Sequence, residues 1–545
     1  MAYLLPKKVV RCFGVSGVEN LFIDKPMQIG FNEPLLCDFS ANSYIILDFG
    51  KEIVGSVRII TRQVEGNNRI RLRFGESVGE TCSEIGFKNS TNDHATRDMV
   101  VNLQTYSDMY FGQTAFRFLR IDFIDNTSAL IKSIVANLEI NDEKVIGKFH
   151  SDDKLVNKIF DTAAYTVRLC LQNGMIWDGV KRDRLVWIGD MYPEVFALDS
   201  LYKKVDNIDN SLDFIKDQTE LPKWMNRYPT YSMWWILILK EHYNVKGDLT
   251  YLEKQKEYLV GLVEQLKQCI SDDGHLDFSI IKGVENAGYF IDWPSHPQEE
   301  SDEIKTNDEA AGVQALAVLA FKAAKELYSI LGIDNSFIDG VIRKITEKKY
   351  SVIKMKQIAS LRILAGIGDE NDKKIVTENG AKGLSTFMSY FILKAVSSFG
   401  EYEKSLSMMK EYYGAMLDLG ATTFWEDFDM EWLSDNVCGI TKLATRSQKD
   451  IHGDFGAFCY KGYRHSLCHG WSSGVIPYLM HVMAGIEIKS PGCKEIAINP
   501  HLSGLKHLKV TYPTPYGKLT VEHRVDENGK VVTTVNAPSQ IKIIK

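Results

Sequence analysis

The chain has 545 residues, of which 45% are hydrophobic, 25% charged and 11% aromatic, a balance that supports buried cores and excludes global disorder. Its 64 Lys and Arg against 71 Asp and Glu leave a formal charge of −7, the wrong sign for a protein that binds by neutralising phosphates, so nucleic acid is not an expected partner. Length points to several domains, the absence of a long apolar run or a signal-like start argues against a membrane partner, and nine dispersed cysteines without CxxC spacing predict reduced thiols and a cytoplasmic location.

From residue 1 to 146 the pattern predicts strands. Ser56–Ile60 and Arg69–Phe74 alternate apolar and polar residues, with Gly50, Gly55, Gly75 and Gly79 at expected turns. Phe116–Phe123 alternates except for a phase slip at Phe118–Leu119, where a bulge would restore the buried face. A β-sandwich is the simplest arrangement of such strands. From 147 to 486 the period becomes helical: Leu252, Leu259, Leu262, Val263 and Leu266 recur at helix spacing, Ala310–Leu331 is Ala-rich, and further helices are expected over Lys382–Val396 and Tyr402–Leu417. One closed array of helical hairpins would accommodate them. From 487 to 545 strands return at His507–Tyr512, Lys518–His523 and Lys530–Val535, the last two joined by the hairpin turn Asp526–Gly529. The fold class read from this order is multidomain α+β, with no short-period repeat or long linker.

Four segments carry candidate chemistry. Trp177–Asp190 gathers Asp178, Asp183 and Asp190 with Lys181, Arg182 and Arg184 between Trp177 and Trp187. It reads either as a surface stretch of local ion pairs or as a sugar site, where carboxylates and guanidinium groups grip hydroxyls and indoles cover the apolar side of a ring. In Gly420–Asp429, Glu426 follows aromatics; it is either a helix N-terminal charge or the second carboxylate that glycoside hydrolysis needs. In His465–Gly474, the mixture of His, Ser and Cys has no nucleophile-elbow context and no Glu for an HExxH zinc site, which leaves His469 as a candidate sugar-hydroxyl ligand. Gly288–Pro294 reads as a buried aromatic turn or as a pocket wall with Trp293 against sugar and Asp292 on a hydroxyl, while Trp234–Trp235 reads as core.

Taken together, these segments resemble the bacterial α-L-rhamnosidases of glycoside hydrolase family 78. Asp178, Arg182, Arg184, Trp187, Gly189 and Asp190 fall on matching positions of that family's Asp-Cys-Pro-x-Arg-Glu-Arg-x-Gly-Trp-x-Gly-Asp segment; Gly420–Glu426 matches its Gly-Ala-Thr-Thr-x-Trp-Glu, His469–Ser472 its late His motif, and Phe290–Trp293 its Gly-Asp-Trp turn. The resemblance implies a central (α/α)6 toroid of the six-hairpin glycosidase type, flanked by an N-terminal β-sandwich and a small C-terminal one. It implies an inverting glycosidase that releases terminal α-L-rhamnose or a related sugar, without metal or organic cofactor. Asp183 stands where the family has its general acid Glu, and Gly179, Val180 and Val186 replace Cys, Pro and Gly. In that scheme Asp183, its proton affinity raised by desolvation and by Asp178 and Asp190, protonates the glycosidic oxygen, and Glu426 deprotonates the attacking water. Asp178, Arg182, Asp190 and His469 hold hydroxyls, and Trp187 and Trp293 pack on the ring. A catalytically silent sugar-binding homologue, and a lyase or other glycosidase on the same scaffold, are the alternatives. The partner is a carbohydrate, and a homodimer is compatible with the sequence.

Overall fold

The computed structural model describes residues 2–299 and 301–544. Its first part is a seven-stranded antiparallel sheet built around two long strands, Cys37–Glu65 and Ser107–Phe123. Cys37–Glu65 meets Ser128–Leu138 at both of its ends, Phe39 and Val64 both lying opposite Ala129, so the sheet curls on itself. The expected bulge at Phe118–Leu119 is absent: both residues pair in register with Gly75 and Phe74 on one side. The irregularity lies in the other partner, where pairing jumps from Asp48 to Ile53. Gly50, at φ 84, supplies the backbone freedom for that kink. Gly79 is not at a turn between strands but inside the short helix Val78–Thr81, capped by the Ser77 hydroxyl.

The middle of the chain holds eleven helices of eight residues or more among the described residues, from Lys154–Leu169 to Tyr402–Asp418. Carboxylates start several of them: Asp153, Asp248 and Asp302 each accept backbone N–H groups of the first turn. Burial separates two kinds. All eleven residues of Met191–Leu201 are buried, as a helix surrounded by protein requires, whereas Ile338–Glu347 buries only Ile338, Val341 and Ile345, a single stripe. Helices Leu249–Gln268, Glu303–Ile330 and Tyr402–Asp418 cover the segments expected to be helical. The helix expected over Lys382–Val396 is shorter, Ser389–Ser398, because Gly380 and Gly383 adopt left-handed backbone ahead of it and Ser385 and Thr386 are drawn to other segments by hydrogen bonds.

Strand Lys148–Ser151, which precedes the helices, pairs with His507–Thr514 of the C-terminal region. It completes a four-stranded sheet with His507–Thr514 and the strands Gly517–Val525 and Val531–Asn536, beside a three-stranded sheet of Ile486–Ile488, Glu495–Ile498 and Lys542–Ile544. The helical region is thus clamped at both ends by one sheet. Among the described residues no helix is long and apolar enough to cross a membrane, and all nine cysteines are free thiols.

Candidate active site

The segment 177–190 is irregular, and its shape is imposed by residues remote in sequence. Asp178 N–H donates to Leu185 O, and the Asp178 carboxylate accepts Leu185 N–H at 2.9 Å, closing the loop on itself. Gly189 has room for no side chain, since a Cβ there would lie 2.4 Å from the Tyr231 ring; this close approach lets the Tyr231 hydroxyl donate to Asp190 at 3.1 Å. At the tip, Asp183 and Arg184 are consecutive left-handed residues, with φ 54 and 56. The loop is tied to the late segment by an antiparallel bridge between Gly179 and His469 and by Gly470 N–H donating to Asp178 O at 2.7 Å.

Glu426 sits in a non-helical stretch, not at a helix start. Its backbone exchanges a hydrogen bond with the His465–His469 segment, Glu426 N–H donating to Ser466 O at 3.0 Å, while its carboxylate accepts Ser466 N–H at 3.1 Å. Thr386 Oγ1 and Trp471 Nε1 both donate to the Glu426 carbonyl. His465 and His469 are not on a common helix face; each flanks a short 3-10 turn.

These loops converge on one pocket lined by Asp178, Arg182, Asp183, Trp187, Asp190, Tyr228, Tyr231, Phe290, Trp293, Glu426, Cys459, His469 and Trp471. Eight of the nine expected site residues are on that wall. Asp292 is not: it is buried behind Trp293, where its carboxylate accepts Ser385 Oγ and Trp293 N–H, so it braces the wall instead of facing a ligand. Arg182 lies between the two proposed catalytic carboxylates, one arm of its fork on Asp183 at 3.0 Å and the other on Glu426. A roomier cavity of about 390 Å³ lies elsewhere, lined by Lys240, Lys394, Tyr402 and His501, and lacks this grouping of carboxylates and indoles.

Desolvation is distributed differently from the expectation. Asp183 is the most exposed of the pocket carboxylates, at 21% of its side chain, because it sits at the loop tip beside Arg182. Burial instead pushes Asp178 and Asp190 well above the usual carboxylate range, Asp178 reinforced by Asp190 and opposed by Leu185 N–H, and Asp190 opposed by the Tyr231 hydroxyl. Burial also raises Glu426, against the opposing charge of Arg182. His469 is held far below its ordinary value by burial, then by the charge of Arg182, and is neutral. Its Nε2 lies 3.7 Å from Asp178, 3.9 Å from Asp190 and 3.8 Å from Glu426. Asp178, Asp190 and His469 offer atoms within 4.8 Å of one another, a spacing that a sugar hydroxyl or a cation can share. Neutral carboxyls both donate and accept, which suits hydroxyl recognition.

Sequence reasoning missed Tyr228 and Tyr231, whose spacing of three at the start of helix Pro229–Lys246 was the available signal; Trp234 and Trp235 beyond them are core. It also left Lys181 without a role. That side chain is buried, ion-paired with Glu80 at 2.8 Å and Glu76 at 3.3 Å from the N-terminal region, and donates to the carbonyls of Tyr463 and His465.

The helical region between sheets belongs to the class that the sequence match names: residues 144–336 match the bacterial alpha-L-rhamnosidase 6 hairpin glycosidase domain. Residues 40–139 match the bacterial alpha-L-rhamnosidase concanavalin-like domain and 485–543 the bacterial alpha-L-rhamnosidase C-terminal domain, so the chain belongs to the bacterial α-L-rhamnosidase family. No curated protein sequence matches it. In fold it is similar to the family 78 rhamnosidase of Bacillus sp. GL1, at 17% identity and a TM-score of 0.72, over 97% of this chain and 55% of that one. It is likewise similar to the α-L-rhamnosidase of Dictyoglumus thermophilum, at 17% identity and 0.71, over 100% and 58%. The Klebsiella oxytoca rhamnosidase with rhamnose bound matches at 18% identity and 0.64, over 88% and 94%. The chain therefore spans little more than half the length of the first two of these structures.

Proposed function

We propose that the protein is an inverting exo-α-L-rhamnosidase acting on terminal rhamnose or a closely related sugar. The observation that carries this is the convergence of Asp183 and Glu426, 243 positions apart in sequence, on one pocket, separated by the Arg182 guanidinium. Glu426 stands at the buried end, where a water deprotonated by it would attack the anomeric carbon. Asp183 stands at the exposed rim, where the leaving group must exit, and would protonate the glycosidic oxygen. Asp178, Asp190 and His469 would hold ring hydroxyls, and Trp187 and Trp293 would cover the ring. The helices support a toroid of the (α/α)6 kind between two β-sandwiches, with domains over 1–146, 147–486 and 487–545. The free thiols suit a reducing compartment.

The test is a panel of aryl glycosides followed by proton NMR of the first-formed sugar. Turnover of the α-L-rhamnoside with the inverted anomer released is the expected result; a retained anomer overturns the two-carboxylate scheme. A silent sugar-binding homologue is the second reading, favoured by the shorter Asp183 and by Arg182 occupying the space between the carboxylates. Asp183→Glu separates them: it raises turnover in a mis-set enzyme and leaves a binder without any.

A further inference from the structure

The loop that carries Asp183 is held by a residue from the N-terminal region. His94 lies between the 3-10 turn Phe87–Asn89 and strand Asp98–Asn102, and its Nδ1 accepts Asp183 N–H at 2.7 Å. The same Nδ1 lies 3.4 Å from the Asp183 carboxylate, and Nε2 faces Asp93 at 3.7 Å. Asp93 is in turn paired at 3.1 Å with Arg464, on the stretch that brings Cys459 to the pocket. His94 itself has φ 64, in the same left-handed region as Asp183 and Arg184.

Two successive non-glycine residues in that region cost about 1–3 kcal/mol each and persist only where the surroundings hold them. The holders here are few. Arg184 donates to Gln113 O at 3.3 Å and to Val180 O at 3.0 Å, and packs over the Trp177 ring; Asp183 has His94 on its N–H and, at 3.4 Å, beside its carboxylate, which also meets Arg182. Within the loop, Arg184 N–H donates to Arg182 O at 2.7 Å and closes the turn around Asp183; from outside the loop, His94 holds the Asp183 N–H itself, on the peptide from which the side chain departs. With a side chain one methylene shorter than glutamate, the placement of that peptide decides whether the carboxyl reaches a substrate oxygen.

We propose that His94 is a positioning residue for the general acid: by accepting the Asp183 N–H it locks the left-handed turn that presents the Asp183 carboxyl to the leaving group. This rests on the acid role proposed for Asp183 and adds the element that holds it. The test compares two aryl α-L-rhamnosides, one with 2,4-dinitrophenolate, which leaves without protonation, and one with 4-methylphenolate, which needs it. His94→Leu removes the acceptor while keeping bulk; His94→Asn restores an acceptor and tolerates left-handed backbone. His94→Leu is expected to lower kcat about 100-fold on the methylphenyl substrate, the scale of a ~1 Å misplacement, with kcat on the dinitrophenyl substrate and KM on both within about threefold. His94→Asn should recover most of the loss. The ratio between substrates is independent of how much of the variant is folded. Equal loss on both substrates, or no loss on either, overturns the positioning role while wild-type turnover keeps the glycosidase reading intact. A wild type that turns over neither substrate overturns both.

Discussion

Glu426→Gln is the sharpest perturbation of the proposed chemistry because the surroundings of residue 426 are largely indifferent to it. Gln has the same shape, its oxygen can still accept the Ser466 N–H now at 3.1 Å while its NH2 replaces the acceptor that faces Arg182, and the backbone contacts to Ser466, Thr386 and Trp471 do not involve the side chain. What disappears is the basic oxygen and one charge opposite Arg182, which keeps Asp183 as its partner. Loss of a general base costs about 10²–10⁴-fold in kcat, which at ~1.36 kcal/mol per decade is about 3–5 kcal/mol of transition-state stabilisation. The assay is kcat and KM on an aryl α-L-rhamnoside beside calorimetric binding of rhamnose, with kcat falling by that factor and affinity changing less than about fivefold. The pH profile supplies an independent sign. A base works ionised, so kcat/KM falls as pH drops through the Glu426 pKa, and burial places that limb above the ordinary glutamate range. The residual activity of the variant should lack it. A kcat within tenfold of the wild type refutes the base assignment, and parallel loss of affinity and turnover would make Glu426 a binding group.

Lys181→Met should destabilise the fold by about 3–5 kcal/mol, read by chemical denaturation, because it strands Glu76 as a buried carboxylate without its cation and leaves Glu80 with Arg97 alone, at 3.4 Å; a loss below about 1 kcal/mol would show that Lys181 is dispensable. Asp292 is pushed up to about 7 by burial, so the folded state keeps its proton while the unfolded chain ionises near 4, and stability falls as pH rises between those values and levels off above. Asp292→Asn should remove that part of the dependence, and wild-type and variant denaturation curves that stay parallel from pH 4 to 7 would exclude it.

What was legible in the sequence follows from how local the signal is. Asp178, Arg182, Asp183, Trp187 and Asp190 lie within thirteen positions, so their chemistry is crowded visibly into one stretch. Glu426 and His469 are ordinary residues in isolation and became candidates through their motifs. Asp292 shared a motif with Trp293, but successive residues in extended or turn backbone point apart, and only the indole reaches the pocket. The alternation in Phe116–Phe123 was read correctly as a strand, yet the phase slip was resolved in its partner at residues 49–52, because register belongs to a pair of strands and not to one. His94 and Lys181 act through contacts with residues 89 and 284 positions away, a separation at which single-chain patterning carries no information.

Those long contacts also explain why the pocket is made from loops that have little regular structure of their own. Four of its braces come from the N-terminal region: Glu76 accepts Leu467 N–H at 2.8 Å, Arg117 donates to Gly420 O at 2.8 Å, Glu52 N–H donates to Thr422 Oγ1 at 3.0 Å, and His94 takes Asp183 N–H. Each lands on a segment that carries a functional residue, 178–190, 420–426 or 465–469. Arg117 is itself fixed by a bidentate pair with buried Asp48, and Glu76 by Lys181, so the braces are rigid at their origin. Loops gain precision only when their supporting shell is stiff, and here the shell is the curled sheet. The N-terminal region is therefore part of the machinery that sets the geometry of Asp183 and Glu426, and substitutions at its face toward the helices should alter turnover before they alter the helical fold.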